Sequence, residues 1–197
     1  MQAGPKKEQT RALILAGAGR TFRSHGFGGA GVDGVAKAAG VTSGAFYAHF
    51  KSKADAFRET VSVGLADLEC AIRGLRAEAG KKWVEQFIDF YLGEKRTCAA
   101  ADSCALQSLT GEVARADEET RETFEARLSG IIDATAEGLD APSVKARRQE
   151  AIVMLALLSG GVSLARAVND PALSQEIAAA IRGSLLRQRG SPKDHKK

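Results

Sequence analysis

The sequence has little with which to build a cross-linked, membrane-spanning or catalytic protein. Three cysteines in 197 residues make no disulfide framework, and they point to a reducing, cytoplasmic setting. Four prolines and few β-branched runs argue against strands joined by turns and leave an all-α chain. The longest unbroken apolar run, Ala151–Leu158, is far short of the roughly 18 residues of a membrane span, so no membrane is expected. No apolar stretch follows Lys6 and Lys7, and no signal peptide is read there. There is no G-x-S-x-G, P-loop or H-E-x-x-H string, so no enzyme is expected and no cofactor. The histidines His25, His49 and His195 lie too far apart for a zinc site.

What is present is an uneven charge. Residues 1–53 hold eight Lys/Arg against two acids, residues 54–181 fourteen against twenty-one, and residues 182–197 six against one. A basic N-terminal quarter on an acidic body suits a polyanion partner, and equally a solvated surface.

Nine helical segments are read from apolar spacing and caps. They are Glu8–Ser24, Val32–Ala39, Thr42–Phe50, a long helix from Ser52 to Glu78, Lys81–Lys95, Cys104–Ala116, Asp117–Leu139, Val144–Val168 and Ala172–Gln188. Gly26, Gly28 and Gly29 break the first. Gly40 ends the second as a left-handed cap. Ser52-Lys53-Ala54-Asp55 resembles a capping box. Ser143 is read as an N-cap, and Thr97–Ser103 as a loop. Residues 1–7 are expected to be a flexible arm, 8–53 a head, 54–189 a body and 190–197 a disordered tail.

Val32–Phe57 carries the function. Two short helices joined by Ala39-Gly40-Val41-Thr42 fit a helix–turn–helix, packed through Val35, Ala36 and Val41. The second then shows Thr42, Ser43, Ala45 and Tyr47 to a major groove about 12 Å wide. Tyr47, His49, Lys51 and Lys53 are donors suited to phosphate oxygens.

Val35-Ala36-Lys37-Ala38-Ala39-Gly40-Val41-Thr42-Ser43-Gly44-Ala45-Phe46-Tyr47-Ala48-His49-Phe50-Lys51-Ser52-Lys53, with Phe57 after it, resembles the TetR family of bacterial transcription regulators. Ala12, Ala16 and Phe22–Phe27 resemble that family's first helix. The likeness covers about residues 8–57. It implies an all-α homodimer, with three-helix heads on a double-stranded palindromic operator and helical bodies that bind a small-molecule effector. It implies that Thr42, Ser43 and Ala45 face bases and that Tyr47, His49 and Lys53 hold the DNA backbone. It also implies that Gly44 permits close approach to the DNA. Many members carry Thr or Ser where this chain has Ala30 and Gly31, at a point that caps the second helix and touches phosphate, so Gly31 is counted with this face. Gly34 and Ser43 also depart from the pattern, and the base preference is not carried over.

In the body, Trp83, Phe87, Phe90 and Tyr91 recur at helical spacing, and Leu65, Leu68, Leu109, Val113, Phe124, Leu128 and Ile131 are candidates to face them. They suit a solid core or, as the resemblance favours, a chamber for a small apolar ligand. On the last two helices, Ile152, Leu155, Leu158, Val162 and Val168 are read as one broad apolar face, and Leu173, Ile177, Ile181 and Leu185 as a stripe, for core packing or a dimer bundle. Gly160 and Gly161 allow close approach. Cys98 and Cys104 flank the loop, with Cys104 near a helix start and Arg96 nearby. Both conditions raise thiolate reactivity, which gives a redox- or electrophile-sensing alternative to simple burial. Cys70 is read as core. The remaining alternative is a helical protein-interaction module without DNA binding.

Overall fold

The computed structural model describes residues 4–190. The described residues hold ten α-helices, two single-turn 3-10 segments and no strand. The helices are α1 (Pro5–Gly29), α2 (Val32–Ala38), α3 (Ser43–Tyr47), α4 (Lys53–Ala79), α5 (Trp83–Leu92), α6 (Glu94–Thr97), α7 (Ala105–Val113), α8 (Glu118–Ala136), α9 (Val144–Ala167) and α10 (Pro171–Gly190). The 3-10 turns are Gly80–Lys82 and Ala100–Asp102.

Three local features depart from the sequence reading. The first helix starts at Pro5, inside the expected arm, because proline at the first helical position is already set at the helical φ. The glycines do not all break it. Only Gly26 leaves helical geometry, at φ 69°, and the helix resumes to Gly29. The expected segment Lys81–Lys95 breaks at Gly93 into α5 and the one-turn helix α6, and the expected loop holds a 3-10 turn. The tail expected over 190–197 lies, beyond Gly190, outside the described residues. Gly26-Phe27-Gly28-Gly29-Ala30-Gly31 has the glycine spacing of a dinucleotide loop. It closes a helix rather than following a strand, which is not the context such a loop needs.

The described chain forms two compact units. They do not follow a division at residue 53. The first holds the chain up to Cys70 together with Ala99–Ile131. Its core is a run of rings. Phe22 meets Phe57 edge-on at 5.2 Å, and Phe27 meets Phe57 at 5.1 Å. Arg20 pairs with Asp102 at 2.5 Å, and Arg58 with Glu119 at 2.5 Å. Gly17 lets α1 cross α2. A Cβ there would lie 2.9 Å from Ala39 N and 3.1 Å from the Ala38 carbonyl carbon. These are backbone atoms, so no rotamer change relieves the clash. Gly17→Ala is therefore expected to cost about 1–3 kcal/mol. Gly34→Ala, where nothing lies within 4 Å, should be neutral or mildly stabilising, since alanine is the better helix former. Thermal midpoints of the two variants check this, and equal midpoints would contradict it.

The second unit holds Ala71–Cys98 and the chain from Ile132. Trp83 donates its indole N–H to Gly138 O at 3.0 Å, and the Trp83, Phe87 and Tyr91 rings follow one another at 6.3 and 5.6 Å. Arg166 Nη1 donates to the carbonyls of Lys95, Arg96 and Cys98, at 3.2, 3.1 and 2.9 Å, and so satisfies the C-terminal end of α6. Helix α9 packs on α10 where Gly161 leaves room for Ile181. By length and composition alone α9 passes as a membrane-crossing helix, but Met154, Leu155, Leu158, Val162 and Ala165 are buried against protein.

Candidate nucleic-acid interface

The turn between α2 and α3 is built by backbone chemistry. Gly40 sits at φ 68°. Val41 N donates to Ala36 O at 2.9 Å and Gly40 N to Lys37 O at 3.1 Å, the double closure of a Schellman cap. Thr42 then caps α3, its Oγ1 accepting from Ala45 N at 3.1 Å. That leaves the Thr42 hydroxyl proton free to donate. After α3, Ser52 Oγ accepts from Asp55 N at 3.1 Å and the Asp55 carboxylate accepts from Lys51 N at 2.9 Å. The box expected at Ser52–Asp55 is present, shifted back by one residue on its return arm.

Most of the expected contact residues share this face. Thr42, Gly44, Tyr47 and Lys51 are exposed, and Ser43 and Ala45 are half-buried. Tyr47 is 58% exposed with the edge of Phe46 behind it at 5.3 Å. A Cβ on Gly44 would meet nothing nearer than Thr42 Oγ1, at 3.8 Å. Nothing within the chain therefore demands glycine there. Gly31 is the N-cap of α2 without a side-chain bond, and it is open to solvent.

Two residues behave differently from expectation. Lys53 does not reach outwards. Its Nζ donates to Phe27 O at 2.9 Å and lies 4.2 Å from the centre of the Phe27 ring, where it holds the end of α1. His49 is half-buried, its Nδ1 buried without a hydrogen-bond partner. The sequence reading also missed Lys6, Lys7 and Thr10. With Gly4, Ala48 and His49 they line an open cavity of about 520 Å³. Both lysines are exposed on the first turn of α1. Pro5 was the available signal, because it makes the arm a helix.

The matching family model describes bacterial regulatory proteins of the tetR family and covers residues 14–60. The likeness to that family's sequence is confined to the head. Over 52 residues it is 48% identical to the HTH-type transcriptional regulator AcrR of Shigella flexneri. That match takes in 26% of this chain and 24% of that protein, so the chain spans about a quarter of the length of this curated relative. The fold likeness to tetR-family structures runs through the body as well. A TetR-family transcriptional regulator from Agrobacterium tumefaciens superposes with a TM-score of 0.76 at 19% identity, covering 92% of this chain and 98% of that one. Reduced NemR of E. coli gives 0.74 at 19% identity, covering 89% and 96%.

The body residues are placed less as expected. Leu65, Leu68, Leu109 and Val113 are buried in the first unit, where Phe124 and Leu128 are half-buried. Trp83, Phe87 and Tyr91 are buried in the second. Phe90 is 41% exposed with Lys95 Nζ over its ring at 5.4 Å. The reason is that Val84, Ile88 and Leu92 are buried too, so Phe90 lies about 110° from the centre of the buried stripe at about 100° per residue. Trp83 borders an open cavity of about 760 Å³, but Arg73, Arg76, Lys81, Glu137 and Asp140 share its wall. The Glu137 carboxyl is held below its ordinary range by the hydrogen bond from Arg76, with Arg73 adding to it.

Of the dimer candidates, Leu155, Leu158, Val162 and Leu185 are buried inside the second unit. Ile177 and Ile181 are half-buried, and Leu173 is 42% exposed. Residues 151–165 carry two apolar faces, not one. The outward face holds Ile152, Val153 and Leu164, with Gly160 open. Cys70 is exposed rather than core, since it lies opposite the buried Leu65, Leu68 and Ile72 on α4. Cys98 and Cys104 are half-buried and belong to different units. Cys104 is the N-cap of α7. Arg166 Nη1, not Arg96, lies 3.8 Å from Cys98 Sγ, because Arg96 is engaged by Leu92 O, Ser174 and Gln175.

Proposed function

We propose that the protein is a ligand-responsive, DNA-binding transcriptional regulator: a cytoplasmic homodimer that represses from a palindromic operator and is released by a small apolar ligand. The observation that carries this reading is the Thr42-capped α3, with Tyr47 exposed beside it, in a basic N-terminal quarter that precedes an acidic body. Two such helices must lie about 34–36 Å apart to enter successive major grooves. A ligand releases the DNA to the extent that it prefers bodies whose heads stand at another spacing. Lys6 and Lys7 extend each head's reach to the phosphates beside the groove. The outward face of α9, with Leu173 of α10, meets the second copy.

Fluorescence anisotropy on the protein's own upstream intergenic DNA tests this reading. Wild type should bind tightly, and log affinity should fall linearly with log salt. Tyr47→Ala should weaken binding with helicity intact. Lys6→Ala and Lys7→Ala should each lower the salt slope by about 0.9 for every phosphate left without its lysine. Lys53→Ala should lower the melting temperature and leave the slope unchanged, because its charge is spent on Phe27. Absence of binding here and in random-sequence selection would overturn the regulator reading.

A further inference from the structure

One hydrogen bond on the recognition face serves neither phosphate binding nor capping. Ser43 Oγ donates to Asp33 Oδ1 at 2.5 Å. Ser43 is the first residue of α3, and Asp33 stands exposed in the first turn of α2. Asp33 is also the single acid between residues 9 and 54. A carboxylate on a surface that meets phosphates weakens non-specific attraction, so a surface built only for phosphate gains nothing from it.

Counting protons and lone pairs says what this pair can recognise. A serine hydroxyl has one proton. Spent on Asp33, it leaves Ser43 Oγ able only to accept. The ionised carboxylate is likewise acceptor-only. The pair is therefore a local acceptor patch at the N-terminal end of the helix that a helix–turn–helix lays against base edges. In the major groove guanine shows acceptors N7 and O6, thymine shows O4 and a methyl, and adenine sets acceptor N7 beside its N6 amine. Only cytosine shows a donor, the N4 amine, and no acceptor of its own.

We propose that Asp33 and Ser43 form a specificity element that selects a cytosine in each half-site through its N4 amine. This rests on the DNA-binding reading above. Thr42 and Tyr47 retain hydroxyl protons to give, so the selective burden at this one position falls on the acceptor pair.

The alternative is a clamp that only joins α2 to α3. Asp33→Asn separates the two. The amide oxygen still accepts from Ser43, so a clamp survives, but the charge is gone and an N–H₂ donor appears. Full-length wild type, Asp33→Asn and Ser43→Ala would each be put through selection from random double-stranded DNA. Each would then be titrated on the wild-type-selected site carrying each of the four bases at the enriched position. Wild type should favour cytosine there by about tenfold, within the range of one good base contact. Asp33→Asn should move that position to adenine, which an amide can pair with at N6 and N7, and leave the other positions alone. Ser43→Ala should keep the cytosine preference and weaken it. Identical base preferences in wild type and Asp33→Asn, or no cytosine at any selected position, would overturn the inference while leaving DNA binding intact. No selection and no binding by wild type would instead bring down the regulator reading, and this inference with it.

Discussion

Phe57→Ala should cost the fold about 3–5 kcal/mol, the range for deleting a buried aromatic ring. Phe57 is 2% exposed and touches both Phe22 and Phe27. It also borders a cavity of about 380 Å³ with Phe27, Ala54 and Ala116, so its loss enlarges a space the chain already leaves open. The neighbourhood is badly placed to collapse into it. Behind Phe27 stands Lys53, whose bond to Phe27 O fixes the exit from α1. The damage therefore spreads towards α2. With a urea slope of about 1–3 kcal/mol/M for a small protein, the denaturation midpoint should fall by more than about 1 M. Phe90→Ala is the comparison. Its ring is 41% exposed, and its loss should shift the midpoint only slightly. Comparable shifts for the two would mean that the ring cluster is not the core of the first unit.

The contrast between Phe57 and Phe90 also marks what is legible in the sequence. The helix–turn–helix is readable because its signals are local. Gly40 needs positive φ, Thr42 caps within three residues, and Ser52 Oγ accepts from Asp55 N one turn on. Such signals depend on the adjacent backbone and little else. Lys53 escapes a sequence reading for the opposite reason. Its partner, Phe27 O, is 26 residues away, and no spacing rule foretells which of two directions a lysine takes. The Asp33–Ser43 bond spans ten residues across the turn and is similarly invisible from either residue alone. In the body the difficulty is phase. Ile152, Val153, Leu155, Leu158, Val162 and Leu164 are all apolar, yet the first two and the last are exposed while the others are buried. A helix apolar on both sides carries no internal mark of which side meets its own chain.

That two-sidedness leads to the change expected to disable function most. Leu164→Glu should convert the dimer to monomers without unfolding the chain. Leu164 is 62% exposed, so glutamate there breaks little within one copy. It does place a charge on the apolar face that includes Ile152, Val153 and the open Gly160. Gly161 already serves the chain's own packing of α9 on α10, and Gly160 has nothing within 4 Å of its Cβ position, so in the proposed dimer Gly160 is the position that would admit a second copy's helix. Sedimentation should show half the mass, with helicity unchanged. Operator affinity should fall by about 10²–10⁴, the avidity gained by joining two heads. The salt slope should fall to about half, because one head neutralises half the phosphates. Leu158→Ala supplies the opposite signature. Leu158 is 1% exposed, so its truncation should cost about 2–5 kcal/mol of stability and leave the mass of the folded protein unchanged. If Leu164→Glu stays dimeric, the second copy does not sit on the outward face of α9. If it becomes monomeric but binds the full operator as tightly as before, the two heads do not act together.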